Sequence, residues 1–163
     1  MSGRLIIIRG NSGSGKTTLA TRLQNEMGHE TMLISQDVIR RDILKVADEP
    51  NNPAIRLMSD MAQFGNALGY DVIIEGILSK KKYATMLGRL LKKFDRTYTF
   101  YLDVSFEETV RRHQTKSKKN EFGEDEMRNW WIEKDYLGAD GEIILPEALS
   151  TDEVLRLIVE KVR

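Results

Sequence analysis

The chain has 163 residues, with 25 basic and 25 acidic side chains and no cysteine. This length suits one domain, and the lack of cysteine excludes disulfides, thiolate zinc sites and cysteine nucleophiles. A formal charge of zero gives no support for long nucleic acid as a partner, because duplex-binding proteins usually carry a basic excess.

The chain begins without the long apolar core and cleavage site of a signal peptide. Its apolar runs are far shorter than the ~18 residues that suggest a membrane span. We therefore expect a soluble, cytoplasmic protein that makes no membrane contact. The sequence does not indicate its oligomeric state.

Strands alternate with helices along the whole chain. Short apolar runs predict strands at 5–8, 31–34, 71–76, 98–102 and 143–145. Apolar spacing and capping residues predict helices after Lys16, over 37–46, after Asn52, over 83–94, after Ser105, over 126–135 and after Ser150. This alternation predicts an α/β fold with a parallel sheet covered on both faces, and we expect residues 1–163 to form a single domain.

A glycine-rich turn follows the first strand and matches the eight-residue phosphate-loop pattern at every fixed position. Its glycines let backbone N–H groups point at an anion, and the next helix adds its positive N-terminal end. Lys16 would neutralise β- and γ-phosphate oxygens, and the Thr17 hydroxyl would bind magnesium. The pattern predicts ATP and Mg²⁺ as cofactors, bound by Gly10, Asn11, Ser12, Gly13, Ser14, Gly15, Lys16, Thr17 and Thr18.

A phosphate loop alone also occurs in GTPases, helicases and transporters. The guanine-reading signature is absent, since Ile132-Glu133 precedes Lys134-Asp135 where that signature needs an asparagine. A motor ATPase normally needs a larger core than this chain provides.

Asp37 follows the second strand, and Arg40 and Arg41 lie three and four residues further on. On a helix these arginines share a face with the aspartate. A carboxylate there could accept the proton of an attacking hydroxyl while an arginine holds the acceptor or a phosphate. The structural alternative is a solvated ion pair at the start of a helix.

Glu75 ends the third strand, where ligands gather in open parallel sheets. We expect it to bind magnesium or to contact the substrate, although it could also be an acid that merely begins a loop.

Arg111 and Arg112 precede a polar stretch that contains Lys116, Lys118 and Lys119. We expect a mobile lid over about 111–128, with both arginines contacting the nucleotide and one of them stabilising the transferred phosphoryl group. The sequence does not show which of the two arginines is catalytic; Arg112 is assigned with Lys16 and Asp37 to catalysis.

His113 is expected on the surface of the lid helix. Of Trp130 and Trp131, one is expected in the core and the other half-exposed, although the pair could also stack on a base or sugar.

Four segments together resemble a known group: 10–18, 35–40, 75–76 and 111–112. They are similar to the zeta-toxin-like and polynucleotide-kinase-like small P-loop kinases, which include chloramphenicol phosphotransferase and gluconate kinase. The resemblance implies a five-stranded parallel sheet in the order 2-3-1-4-5 and a hinged lid. It also implies that Asp37 is the base and that Arg40 lies close to the acceptor. Several relatives have aspartate in place of Glu75, and the lid here is rich in lysine rather than arginine.

The function predicted is ATP-dependent transfer of the γ-phosphoryl group to a hydroxyl of a small molecule, with Asp37, Arg40, Arg41 and Glu75 facing that substrate. Two alternatives stay open. One is a nucleoside (uridine-type) or polynucleotide 5′-hydroxyl kinase, and the other is a regulatory module that binds ATP without transferring phosphate.

Overall fold

The computed structural model describes residues 2–163, except for the side chains of Ser117 and Lys118. The predicted lid role of Lys118 therefore lies outside the described residues. The strands are β1 (Arg4–Gly10), β2 (Thr31–Ser35), β3 (Asp71–Gly76), β4 (Arg96–Asp103) and β5 (Ile143–Pro146). They form one parallel sheet in the order β2-β3-β1-β4-β5, which confirms the predicted order.

The helices begin where the capping residues predict. Asn52 accepts a hydrogen bond from Ala54 N, and Ser105 and Ser150 accept from the amides three residues on. The helices are α1 (Lys16–Met27), α2 (Pro53–Ala67), α3 (Lys80–Lys93), α4 (Phe106–Gln114), α5 (Glu124–Trp130) and α6 (Thr151–Val162). A π-helical segment, Val38–Leu44, follows β2, and a 3₁₀ turn, Ser117–Asn120, follows α4. Within residues 2–163, no helix is long and apolar enough to cross a membrane.

The sheet separates two apolar layers. Side chains of β1 alternate between them: Leu5 and Ile7 pack with α2 and α3, whereas Ile6 and Ile8 pack with α1 and α6. All four are fully buried, and each such side chain contributes roughly 1.5–3 kcal/mol relative to an exposed one. This burial on both faces explains the unbroken apolar run at the start of the sequence.

Two predicted helices differ in the structure. The segment expected to be helical over 37–46 is π-helical over Val38–Leu44 and ends at Lys45 with a left-handed φ of 53°. The helix expected over 126–135 ends at Trp130, and Trp131 is already extended. The backbone N–H and C=O of Ile132 both bond the side chain of Asn11, so a tertiary contact replaces continued helix.

Candidate active site

The phosphate loop, residues 10–17, curls between β1 and α1. Ser14 N donates to Asn11 O at 3.1 Å, and Lys16 Nζ donates to the same oxygen at 3.1 Å. Gly13 has a φ of 81°, in the left-handed region that favours glycine. A Cβ there would lie 2.7 Å from Thr109 O on α4. The sharp loop is therefore built on glycine and backed closely by α4.

Glu75, at the end of β3, lies directly beneath the first turn of α1. Its Oε1 accepts hydrogen bonds from Thr17 Oγ1 at 3.2 Å and from Ser35 Oγ at 2.6 Å. Register brings these groups together, since Ser35 of β2 pairs with Glu75. Ser35 was not predicted to contact Glu75, although its place at a strand's carboxyl end was a usable signal.

Hydroxyl and carboxylate oxygens are hard ligands that suit Mg²⁺, and the donors of Thr17 and Glu75 fit such an ion. No cluster of three or more His, Cys, Asp or Glu side chains able to hold a metal occurs in the part of the chain that is described. Mg²⁺ usually binds through one or two protein oxygens together with phosphate oxygens and water, a number that Thr17 and Glu75 can supply.

Asp37 stands between two cavities. The first, the loop cavity, has a volume of about 270 Å³ and is lined by Ser12, Gly13, Gly15, Lys16, Thr17, Thr18, Asp37, His113, Lys116 and Phe122. The second, the outer cavity, has about 540 Å³, and Asp37, Arg40, Arg41, Phe122 and Trp130 are among its lining residues. Both cavities share Asp37, Lys16, Ser12 and Phe122. A carboxylate thus faces the phosphate loop on one side and a metabolite-sized space on the other.

The two arginines of the π-helical segment lie beside this carboxylate, as their spacing predicts. Arg40 Nη2 is 3.7 Å and Arg41 Nε 3.9 Å from Asp37 Oδ1. Both distances exceed those of hydrogen bonds, so the contacts are electrostatic only.

The structure separates the two arginines of α4. Arg111 is largely exposed and bonds Glu108 through Nε and Nη2. Arg112 reaches the phosphate loop and donates from Nη1 to Ser14 O at 2.8 Å. Their hydrogen bonds lower the pKa of Glu108 to about 2. Arg112 lines neither cavity named above in the described structure, but borders a narrow cleft with Ser14, Gly15, Leu102, Pro146 and Leu149.

His113 is buried rather than on the surface, so that prediction is wrong. Its ring stacks on Phe122 with centroids 4.3 Å apart, and its Nε2 lies 2.8 Å from Phe122 O. Phe122 in turn meets Trp130 edge to face at 5.0 Å. Both Trp130 and Trp131 are half-buried, so neither occupies the core as one was expected to do. Through this stack the connection between α4 and α5 is held against the loop cavity, which His113 and Phe122 both line.

A buried arginine and an asparagine, neither predicted to have these roles, fix the segment after α5. Arg9 is fully buried and donates to Leu78 O at 3.1 Å, to Asp135 O at 2.6 Å and to Asp135 Oδ2 at 2.7 Å. Burial lowers the pKa of Arg9, and the nearby Asp135 carboxylate opposes that shift. Asn11 holds Ile132 through two backbone bonds. An arginine in a strand gave no sequence signal, because its partner lies 126 residues away.

Fold and site together define a nucleotide-binding P-loop protein with the small-kinase architecture. Residues 5–130 match the family described as AAA domain, and the chain belongs to that family. No curated protein matches its sequence.

Solved structures share this fold over nearly the whole chain. The APS kinase of Mycobacterium tuberculosis, solved in complex with AMPPNP and APS, has a TM-score of 0.70 at 18% identity, covering 98% of this chain and 96% of that one. A gluconokinase from Sinorhizobium meliloti 1021 has a TM-score of 0.72 at 16% identity, covering 99% and 91%. A sugar kinase from Janibacter sp. HTCC2649 has a TM-score of 0.69 at 19% identity, covering 97% and 93%. At these identities the similarity shows the fold.

Proposed function

We propose that the protein transfers the γ-phosphoryl group of ATP, bound with Mg²⁺, to a hydroxyl group of a small molecule. The observation that carries this proposal is the position of Asp37, whose side chain lines both the loop cavity and the outer cavity. A protein that only senses nucleotide needs no carboxylate between its phosphate site and a second cavity. The acceptor would occupy the outer cavity.

The loop residues 10–18 would hold the phosphates, with Lys16 at the β- and γ-oxygens. Thr17 and Glu75 would hold Mg²⁺, which when bound supplies charge neutralisation at the phosphates. Arg112 borders a cleft that Ser14 and Gly15 line and that Asp37 does not, so we assign Arg112 to the nucleoside end of ATP. This favours binding over the catalytic role expected for it from the sequence.

Asp37 would accept the proton of the acceptor hydroxyl. The oxygen of that hydroxyl would attack the γ-phosphorus as ADP leaves. Almost half of this side chain is exposed, at 44%, so an incoming hydroxyl can reach it. Arg40 and Arg41 would orient the acceptor beside it.

Residues 111–128 would form the lid of a single kinase domain spanning residues 1–163. Lys116 lines the loop cavity with Lys16 and Thr17, so we assign it to the transferred phosphoryl group, where a lid cation stabilises developing charge. Arg111 points toward Glu108 and solvent, and would act at most through that ion pair.

The test is incubation of the protein with γ-labelled ATP, Mg²⁺ and pooled metabolites, nucleosides and oligonucleotides. We expect a labelled small molecule that is absent with Lys16→Ala. Asp37→Asn should lower kcat about 100- to 10,000-fold, the range for loss of a general base, and leave ATP affinity nearly unchanged. Labelled oligonucleotide would favour the polynucleotide kinase instead, and tight ATP binding without transfer would favour the regulatory module. An Asp37→Asn variant that loses ATP affinity would contradict the role given to Asp37.

A further inference from the structure

The outer cavity contains two arginines with few partners of their own. Arg40 is 14% exposed, yet its side chain makes one hydrogen bond among the described residues, from Nη1 to Val46 O at 3.1 Å. Its Nε is buried and has no hydrogen-bond partner within the described structure. Arg41 makes no side-chain hydrogen bond to any described residue, and among the described carboxylates it pairs only with Asp37, at 3.9 Å. A guanidinium has five N–H donors, so most of this donor capacity is unused by the protein.

The other charges that face this cavity leave the arginine pair uncompensated. Lys82 lies 3.4 Å from Asp48, and Asp48 also accepts from the hydroxyl of Tyr83 at 2.6 Å. Those charges are satisfied by each other. Glu49 also lines the cavity, but no ion pair joins it to either arginine in the described part of the chain.

Arg41 is held in a defined orientation by two aromatic rings, those of Phe122 and Trp130. Its guanidinium carbon lies 5.5 Å from the centroid of Trp130 and 5.9 Å from that of Phe122, which are cation–π distances. A guanidinium fixed on one face keeps its N–H edge free to bind an oxyanion in a bidentate manner.

We propose that the acceptor is anionic: a hydroxyl compound that carries a carboxylate or phosphate group, bound by Arg40 and Arg41. This inference rests on the proposed function. A buried, under-bonded guanidinium is costly without a partner, and an oxyanion supplies the acceptors it lacks. The single carboxylate of Asp37 faces both guanidinium groups, so a neutral polyol would leave one of the two positive charges unbalanced, and the site discriminates by charge as well as by shape.

The acceptor need not be known for the test. A metabolite extract is separated on an anion exchanger at neutral pH, and the bound and flow-through fractions are each incubated with γ-labelled ATP, Mg²⁺ and the protein. We expect label only with the bound fraction. Treating that fraction with phosphatase before the reaction removes the acceptor if its anion is a phosphate, and spares it if it is a carboxylate. Transfer confined to the flow-through overturns this inference alone, and transfer with neither fraction overturns the kinase proposal with it.

Arg41→Met then tests the site, since Arg41 is half-exposed and its loss should leave the fold intact. We expect KM for the acceptor to rise about 10- to 100-fold, as for loss of a charged hydrogen bond. KM for ATP should be unchanged, and Arg41→Lys should recover part of the loss. Arg56→Met, an exposed arginine on α2 paired only with Asp60 at 3.5 Å in the described structure, is the control. An unchanged acceptor KM in Arg41→Met contradicts the proposal.

Discussion

Replacing Asp135 by alanine leaves the buried guanidinium of Arg9 without its counter-ion. The side chain of Arg9 is 1% exposed and that of Asp135 is 16% exposed, so water can compensate only slightly. Loss of one partner of a buried pair costs about 3–5 kcal/mol. Asp135 Oδ2 also accepts from Lys80 N at the start of α3, which adds roughly 1 kcal/mol. Against this, Arg9 keeps its bonds to two backbone oxygens, so we expect a net loss of about 3 kcal/mol.

For a chain of this size, that loss should lower Tm by about 6–12 °C. Urea unfolding followed by far-UV circular dichroism measures the free energy directly. The double variant Arg9→Met/Asp135→Ala should be more stable than Asp135→Ala alone, because it removes the charge that the single variant leaves unpaired. Asp152→Ala, which breaks an exposed pair with Arg22 at 2.6 Å, should cost less than about 0.5 kcal/mol. A loss below about 1 kcal/mol in Asp135→Ala, or a double variant less stable than the single, would refute the reasoning.

Two further predictions concern the phosphate loop and the helix behind it. Gly13→Ala should weaken ATP binding measured by calorimetry, because the added Cβ would clash with Thr109 O. The control is Gly28→Ala, which has a similar φ of 82° but whose added Cβ would have no neighbour within 4 Å among the described atoms, so this variant should bind ATP normally. Equal ATP affinity in both variants would contradict this. Hydrogen bonds from Arg111 and Arg112 lower the pKa of Glu108 from 4.5 to about 2. Glu108→Gln should therefore be less stable than the parent protein at pH 7. The difference between their urea midpoints should narrow as the pH falls from 4.5 toward 2, because Glu108 of the parent becomes protonated. A gap that stays constant down to pH 2.5 would exclude that contribution.

Much of the fold follows from local sequence patterns. The apolar run before Gly10 and the capping residues Asn52, Ser105 and Ser150 each predict a boundary that the structure contains. The phosphate loop could be located because every residue type in it has a local physical reason. Parallel pairing of β3 with β1 then places Glu75 beside the end of β1, where the phosphate loop begins.

What the sequence could not predict depends on contacts between distant residues. The burial of Arg9 depends on Leu78 and Asp135, which lie 69 and 126 residues away and supply the oxygens that its guanidinium bonds. The helical pattern of the sequence predicts that α5 continues to residue 135. In the structure it ends at Trp130, because the bonds of Asn11 to Ile132 hold the chain extended from Trp131. His113 is buried because Phe122 stacks on it. Phe122 lies outside α4, so the periodicity of that helix gives no indication of the contact.

Side chains of β1 and β4 and of the phosphate loop hold the segment after α5 by hydrogen bonds to its main chain. Asn11 bonds the N–H and C=O of Ile132, Arg9 bonds the C=O of Asp135, and Tyr101 OH accepts from the N–H of Asp135. We call these main-chain bonds, together with the Asp135 carboxylate, the anchor of the segment. Because main-chain groups are the same in every residue, those bonds depend on the number of residues between Ile132 and Asp135 more than on their side chains. The side chains of Glu133 and Lys134 take no part in these main-chain bonds, so we expect both positions to accept substitution without loss of the anchor. An insertion between Ile132 and Asp135 would change the spacing between the Asn11 contact and the Arg9 and Tyr101 contacts, so this segment tolerates substitution more readily than a change in length.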